Sequence, residues 1–319
     1  MKSKVLITRK ILPEALDYLK EHTDYEIGAT NRNLTKEEII KKIKDKYGLL
    51  SLLVDNIDKE VIDSAHSLKI IANCAVGYNN IDIREAQKKG ILVTNTPGIL
   101  TETTADLTWA LILGVARRIP QAHKFTQDKK FKGWELELFL GKEITKKCLG
   151  IIGMGRIGKA VALRAQAFMM EIVYSDPHRL TLEEKKKYKA TFLPLDKLLS
   201  TADIITIHAG LTPQTFHLIS KEKISLIRKD AILINASRGP IVDEKALAEA
   251  LEKAQIWGAG LDVYEREPDI EKKLLSLDNV ILLPHIGSAT YETRLKMAMM
   301  AARNLVQGLK GERPENLVL

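Results

Sequence analysis

Short apolar runs alternate with segments of helical period along nearly the whole chain, the pattern of strands joined by crossover helices in a parallel sheet. Lys4-Val5-Leu6-Ile7-Thr8 reads as a strand, and residues 13–20 as a helix with Pro13 in its first turn. Thr35-Lys36-Glu37-Glu38 is a capping-box pattern that opens a second helix. Residues 49–54, 69–75 and 90–94 read as further strands, with helical segments near 57–65 and 81–89. Thr96-Pro97-Gly98 breaks this pattern, and a long apolar helix follows over 101–117, ending before Pro120. Its apolar content implies burial between domains or subunits. From 120 to 149 the reading is irregular, with Gly133-Trp134 and Phe139-Leu140-Gly141 expected to pack under a loop.

Strand signals return at 148–152, 171–175, 190–192, 202–208, 231–235, 258–263 and 280–283, with helices between them, and one long helix closes the chain at about 290–309. Six or seven such strands describe a doubly wound parallel sheet. A length of 319 residues exceeds what one core usually serves, so two domains are expected. The last helix is too short to be a domain and is expected to return to the N-terminal unit. The division reads as a smaller α/β domain at 1–99 and 286–319, with the doubly wound domain at 100–285 inserted in it.

The strand Leu149-Gly150-Ile151-Ile152 runs directly into Gly153-Met154-Gly155-Arg156-Ile157-Gly158 and then into a helical pattern. In such a G-x-G-x-x-G turn the first glycine permits the tight turn, the second lets backbone approach a pyrophosphate, and the third lets the helix pack on the sheet. The next apolar run ends in Asp176, where a ribose-binding acid is wanted. A carboxylate there accepts hydrogen bonds from the ribose hydroxyls of NAD and opposes the 2′-phosphate of NADP, so NAD is expected, although His178 and Arg179 could accommodate a phosphate.

Composition adds little to this picture and excludes some others. The formal charge of +8 rests on lysines interleaved with glutamates, as in Glu183-Glu184-Lys185-Lys186-Lys187, which reads as solvated helix faces rather than a nucleic-acid surface. No secretory pattern opens the chain and no apolar run approaches a membrane span, so a cytoplasmic location is expected. Cys74 and Cys148 lie in apolar runs and read as buried free thiols. No spacing suggests a structural zinc site.

A bound nicotinamide needs a substrate clamp and a proton donor on loops that follow sheet strands. Arg238, in Asn235-Ala236-Ser237-Arg238-Gly239, offers a planar fork able to hold a carboxylate in two parallel hydrogen bonds. His285, in Leu283-Pro284-His285-Ile286-Gly287, could protonate a carbonyl oxygen as hydride arrives, and Glu267 could orient it and favour its charged form. His208, which closes another strand, is the rival histidine.

These residues make the chain similar to the D-isomer-specific 2-hydroxyacid dehydrogenases, with further matches at Val76-Gly77-Tyr78-Asn79-Asn80-Ile81-Asp82, Val93-Thr94-Asn95-Thr96-Pro97-Gly98 and Gly260-Leu261-Asp262-Val263-Tyr264. The resemblance covers about Val54 to the end. It implies a flavodoxin-like substrate domain around a Rossmann domain, and a catalytic set of Arg238, Glu267 and His285. It also implies substrate contacts at Val76 and Gly77, and cofactor contacts at Thr103, Gly153, Gly155, Arg156, Ile157, Gly158, Asp176, His208, Pro213, Thr215, Ala236, Ser237, Arg238, Asp262, His285 and Gly287. A homodimer is implied, and Trp134 resembles a residue that reaches a neighbouring subunit's site. Within the family the chain looks most like the glyoxylate and hydroxypyruvate reductases, which implies a small 2-oxo acid as substrate. A minimal phosphoglycerate or D-lactate-type dehydrogenase is the alternative, and an NAD(H)-sensing binding protein is the alternative of another class.

Overall fold

The computed structural model describes residues 2–318. They form two compact units: the first ends at Leu100 and resumes at Ser288, and the second spans Thr101–Gly287.

In the first unit five strands, β1 (Ser3–Arg9), β2 (Thr23–Ala29), β3 (Gly48–Ser51), β4 (Ile70–Asn73) and β5 (Leu92–Thr94), pair in parallel in the order β2-β1-β3-β4-β5. That is the flavodoxin-like winding. Side chains alternate across it: Val5, Ile7, Leu50 and Ile70 face the helices Pro13–His22 and Tyr291–Leu309, while Leu6, Leu49 and Ile71 face the helices on the other side. The C-terminal helix thus belongs to this unit. β2 is not evident from the sequence. It is an edge strand with Thr23 as its only fully buried residue, so it lacks an apolar run. The 49–54 run also ends early, at Ser51. The Asp55 carboxyl accepts the Leu52 N–H at 2.7 Å and the Thr8 hydroxyl at 2.5 Å, which turns the chain and leaves Leu53 and Val54 exposed.

The second unit holds seven parallel strands: β6 (Cys148–Ile152), β7 (Glu171–Ser175), β8 (Ala190–Phe192), β9 (Ile204–Ile207), β10 (Ile232–Asn235), β11 (Gly258–Leu261) and β12 (Val280–Leu282). Their order is β12-β11-β10-β9-β6-β7-β8, a doubly wound sheet that reverses direction between β6 and β9. Ligands of such sheets bind outside the strand C-termini at that reversal.

The long apolar helix, Thr101–Ala116, is buried inside this unit, with Trp109 and Ile112 packed among Leu149, Val161 and Ile234. The expectation of burial between domains or subunits is corrected accordingly: the helix covers one sheet face of its own unit. The stretch read as irregular contains a helix, Ile119–Gln127, with Pro120 in its first turn, where a proline lacking an N–H costs nothing. The break before it is Arg118, in the left-handed region at φ 53°. Trp134 does not pack under a loop, since it is 82% exposed, and Leu140 is exposed as well. The two free thiols lie in different units. Cys148 is buried, Cys74 only half-buried, and burial pushes both up to about 12. Among the described residues no helix is long and apolar enough to cross a membrane.

Candidate active site

The glycine-rich turn lies at the sheet reversal. Gly153 has φ +91°, and a Cβ there would lie 2.5 Å from the Ala209 nitrogen in the segment after β9, so only glycine fits. Gly158 packs against the Gly153 carbonyl, which brings the helix Arg156–Ala167 onto the sheet. A Cβ on Gly155 would meet nothing within 4 Å, and no side chain caps the N-terminus of this helix. Open space beside uncapped N–H groups is what a pyrophosphate requires. The residues present therefore fit a dinucleotide.

Asp176 follows β7, and its carboxyl shapes this turn directly. Oδ2 accepts the Met154 N–H and Oδ1 the His178 N–H, each at 2.7 Å. It thus joins the glycine turn to the loop where an adenosine ribose would sit. Across the reversal, His208 Nε2 lies 2.9 Å from the Thr206 hydroxyl, and Nδ1 is buried with no partner among the described residues. Burial pushes this imidazole down to about 3. It is therefore neutral, and unsuited to deliver a proton at neutral pH. In the following loop Thr215 Oγ1 accepts the Thr212 N–H and donates to the Gly210 carbonyl, both at 2.7 Å, with Pro213 exposed at the bend. Thr103 lies half-buried in the first turn of the helix Thr101–Ala116.

Arg238, Glu267 and His285 follow β10, β11 and β12 in turn. Asn235, the last residue of β10, shapes the first loop: its side chain accepts the Ser237 N–H at 3.1 Å and donates to the Arg238 carbonyl at 3.0 Å. Ser237 Oγ donates to the Ala209 carbonyl, and Ala236 is buried. The Arg238 guanidinium donates to the Ser237 carbonyl at 2.7 Å; burial lowers its pKa and the nearby Glu267 opposes that.

His285 Nδ1 lies 2.8 Å from Glu267 Oε2, with the two side chains about a quarter exposed (25% and 27%). Burial alone would raise the Glu267 carboxyl, yet the hydrogen bond and charge of His285, the Tyr264 N–H and Arg238 outweigh it and hold the group below the usual range. His285 itself is in the left-handed region at φ 56°, a conformation that costs a non-glycine residue about 1–2 kcal/mol. Asp262 offsets that cost. Its buried carboxyl accepts the Ile286 N–H at 2.7 Å and the Gly287 N–H at 2.8 Å, fixing the turn just after the histidine, while burial raises its own pKa. Thr104 donates to the Gly287 carbonyl at 3.1 Å from the other side.

Val76 and Gly77 belong to the first unit. Their carbonyls accept Asn95 Nδ2 at 2.8 Å and Asn73 Nδ2 at 2.9 Å.

Comparison with known proteins identifies the family. The profile described as "D-isomer specific 2-hydroxyacid dehydrogenase, NAD binding domain" matches residues 109–287. A protein named glyoxylate reductase from Thermococcus onnurineus (strain NA1) is 46% identical over 322 residues, covering 100% of this chain and 96% of the relative. The chain belongs to the D-isomer-specific 2-hydroxyacid dehydrogenase family. It is therefore an oxidoreductase that acts on the CH–OH group of 2-hydroxy acids with a nicotinamide dinucleotide. Two solved relatives share the fold. A glyoxylate reductase from Paecilomyes thermophila has a TM-score of 0.89 and 29% identity, covering 99% of this chain and 98% of that one. An NADPH-dependent glyoxylate/hydroxypyruvate reductase from Sinorhizobium meliloti, in complex with NADP and malonate, has a TM-score of 0.86 and 31% identity, covering 100% and 97%.

Two groups tied to the Glu267 loop have roles that the sequence did not show. Tyr264 donates its hydroxyl to the Leu283 carbonyl at 2.8 Å and its N–H to Glu267 Oε1 at 3.1 Å, tying the Glu267 loop to the strand end before His285. Glu244 opens the helix Glu244–Glu252 and is buried there. A glutamate at the start of a helix reads as an ordinary solvated residue, and nothing in its sequence neighbourhood distinguishes this one.

Proposed function

We propose that this chain reduces a small 2-oxo acid, glyoxylate or hydroxypyruvate, to the D-2-hydroxy acid with NADH, Arg238 holding the carboxylate and His285 giving the proton. The observation that carries this reading is the 2.8 Å contact of His285 with Glu267 at strand ends of a sheet whose reversal bears the glycine turn. The name of the Thermococcus relative supports the substrate class.

When bound, the reduced nicotinamide supplies a hydride to the carbonyl carbon. The Arg238 fork takes the substrate carboxylate, and its partial burial strengthens that attraction. With Nδ1 held by Glu267, the proton leaves from Nε2 of His285 toward the carbonyl oxygen as negative charge develops there. Glu267 fixes the ring orientation and balances the imidazolium. In oxidation the same nitrogen takes the hydroxyl proton. Gly153, Gly155, Arg156, Ile157 and Gly158 would surround the pyrophosphate and Asp176 the ribose, with Thr103, His208, Pro213, Thr215, Ala236, Ser237, Asp262 and Gly287 completing the cofactor's contacts. The Asp176 charge favours NAD over NADP.

The protein is proposed to act as a cytoplasmic homodimer. Free thiols suit a reducing compartment, and Phe131, Trp134, Leu136 and Leu140 form an exposed apolar stretch suited to a second copy. The test is steady-state turnover of glyoxylate, hydroxypyruvate, pyruvate and bulkier 2-oxo acids with NADH and with NADPH. Glyoxylate or hydroxypyruvate with NADH is expected to give the highest kcat/KM. Binding of NADH without turnover of any acid would overturn the reading in favour of a cofactor-sensing protein.

A further inference from the structure

Glu267 rides on a segment with little apolar anchorage. Arg266, Pro268 and Asp269 around it are exposed, Glu265 is half-buried, and between 265 and 270 only Ile270 packs against the core. A segment so exposed should wander by more than a hydrogen bond tolerates, unless polar contacts hold its ends.

Glu244 makes those contacts. Glu244 is a buried residue, at 8% exposure, and its two carboxyl oxygens accept one backbone N–H each: Glu265 at 2.6 Å through Oε2 and Glu271 at 2.7 Å through Oε1. These two donors bracket the residues that carry Glu267. The contact is reciprocal at one end, where Glu265 Oε2 accepts the Glu244 N–H at 3.5 Å, and Glu265 Oε1 faces His217 Nε2 at 3.2 Å. The base of this bracket is rigid. Asp243 caps the helix through the Ala246 N–H at 2.9 Å, and Leu247 and Leu251 anchor it in the core.

We propose that Glu244 is a positioning residue for the His285–Glu267 pair, its carboxyl fixing both ends of the 265–271 segment so that Glu267 meets His285. The role requires two acceptor oxygens, which glutamine lacks: its amide NH2 would confront one of the two N–H donors. This inference rests on the proposed reductase reading for its kinetic test, so the test includes a readout that needs no turnover.

The experiment compares full-length wild type, Glu244→Gln and Glu244→Asp. In Glu244→Gln, kcat for the preferred 2-oxo acid should fall about tenfold to a hundredfold, the loss that a small misplacement of a catalytic group produces. The alkaline fall of kcat/KM should move to lower pH, since a displaced Glu267 supports a protonated His285 less well. The dissociation constant for NADH, read by fluorescence, should stay within about twofold. Amide hydrogen exchange should quicken over 265–271 and remain slow over the helix Glu244–Glu252. Glu244→Asp keeps two acceptors and should recover part of kcat. Unchanged kcat, pH profile and exchange in Glu244→Gln would overturn the proposal. So would equal quickening of exchange across the helix together with lost NADH binding, which would mark Glu244 as a folding residue. Should the wild type turn over no 2-oxo acid, the reductase reading fails, and selective exchange over 265–271 still decides whether Glu244 fixes the segment.

Discussion

Glu267 meets His285 through Oε2 at 2.8 Å while its other oxygen, Oε1, accepts the Tyr264 N–H at 3.1 Å. The carboxyl is therefore held at both oxygens and can orient the imidazole without rotating away. If His285 supplies the proton, His285→Ala should lower kcat by about a hundredfold to ten-thousandfold, the usual worth of a positioned acid. Glu267→Gln, which keeps the shape and removes the charge, should lose less. Pre-steady-state mixing of NADH-loaded variants with the 2-oxo acid checks both, and near-wild-type turnover in His285→Ala would remove the histidine from its role.

The same contact makes stability depend on pH. Glu267 is held below its ordinary value of 4.5 despite burial, so it contributes stability that is complete above that pH and is lost as pH falls through the lowered native value. Urea unfolding of wild type and Glu267→Gln should thus show a gap near about pH 6 that narrows toward about pH 3. A gap that widened on acidification would reverse the assigned sign.

Arg238 tests whether geometry or charge holds the substrate. Lysine keeps the positive charge and loses the planar fork, so Arg238→Lys should raise KM for the 2-oxo acid by about tenfold or more while NADH affinity changes little. Titration with NADH followed by substrate saturation curves separates the two. An unchanged KM would mean that the carboxylate is held elsewhere.

Much of this architecture was legible because its signals are local. Gly153, Gly155 and Gly158 advertise their backbone geometry, and Arg238 and His285 stand out as polar residues at the ends of apolar runs. β2 was not legible, because an edge strand with a wet face need not carry an apolar run. The helix Ile119–Gln127 was hidden by Pro120, which terminates helices when interior and starts them when first. Glu244 and Tyr264 were hidden for a different reason. Their partners, Glu271 and Leu283, are distant in sequence, and only the fold brings the helix after β10 and the end of β12 to the segment after β11.

Asp176 has two duties that substitution should separate. Its carboxyl accepts the Met154 and His178 N–H groups and leaves lone pairs for a ribose hydroxyl. Asp176→Ser should lower kcat/KM with NADH and raise the NADPH to NADH ratio by about tenfold or more, because the charge opposing a 2′-phosphate is gone. A wild type that already prefers NADPH would refute the assignment to NAD.

The glycine turn offers the sharpest steric test. At Gly153 a methyl group would lie 2.5 Å from the Ala209 nitrogen and 2.6 Å from the His208 carbonyl carbon, both backbone atoms that cannot rotate aside. The φ of +91° adds a backbone penalty of about 1–3 kcal/mol for any L-residue. Gly153→Ala must therefore push the segment after β9 away from the turn after β6. Both segments border the sheet reversal where the pyrophosphate is expected. The variant should lose NADH binding at least about tenfold and unfold at a lower temperature, as fluorescence titration and calorimetry would show. Gly155→Ala is the control: its Cβ meets no protein atom within 4 Å, so the apo protein should keep its stability while NADH binding weakens. Equal stability losses in the two variants would show that the turn is shaped by something other than its contact with Ala209.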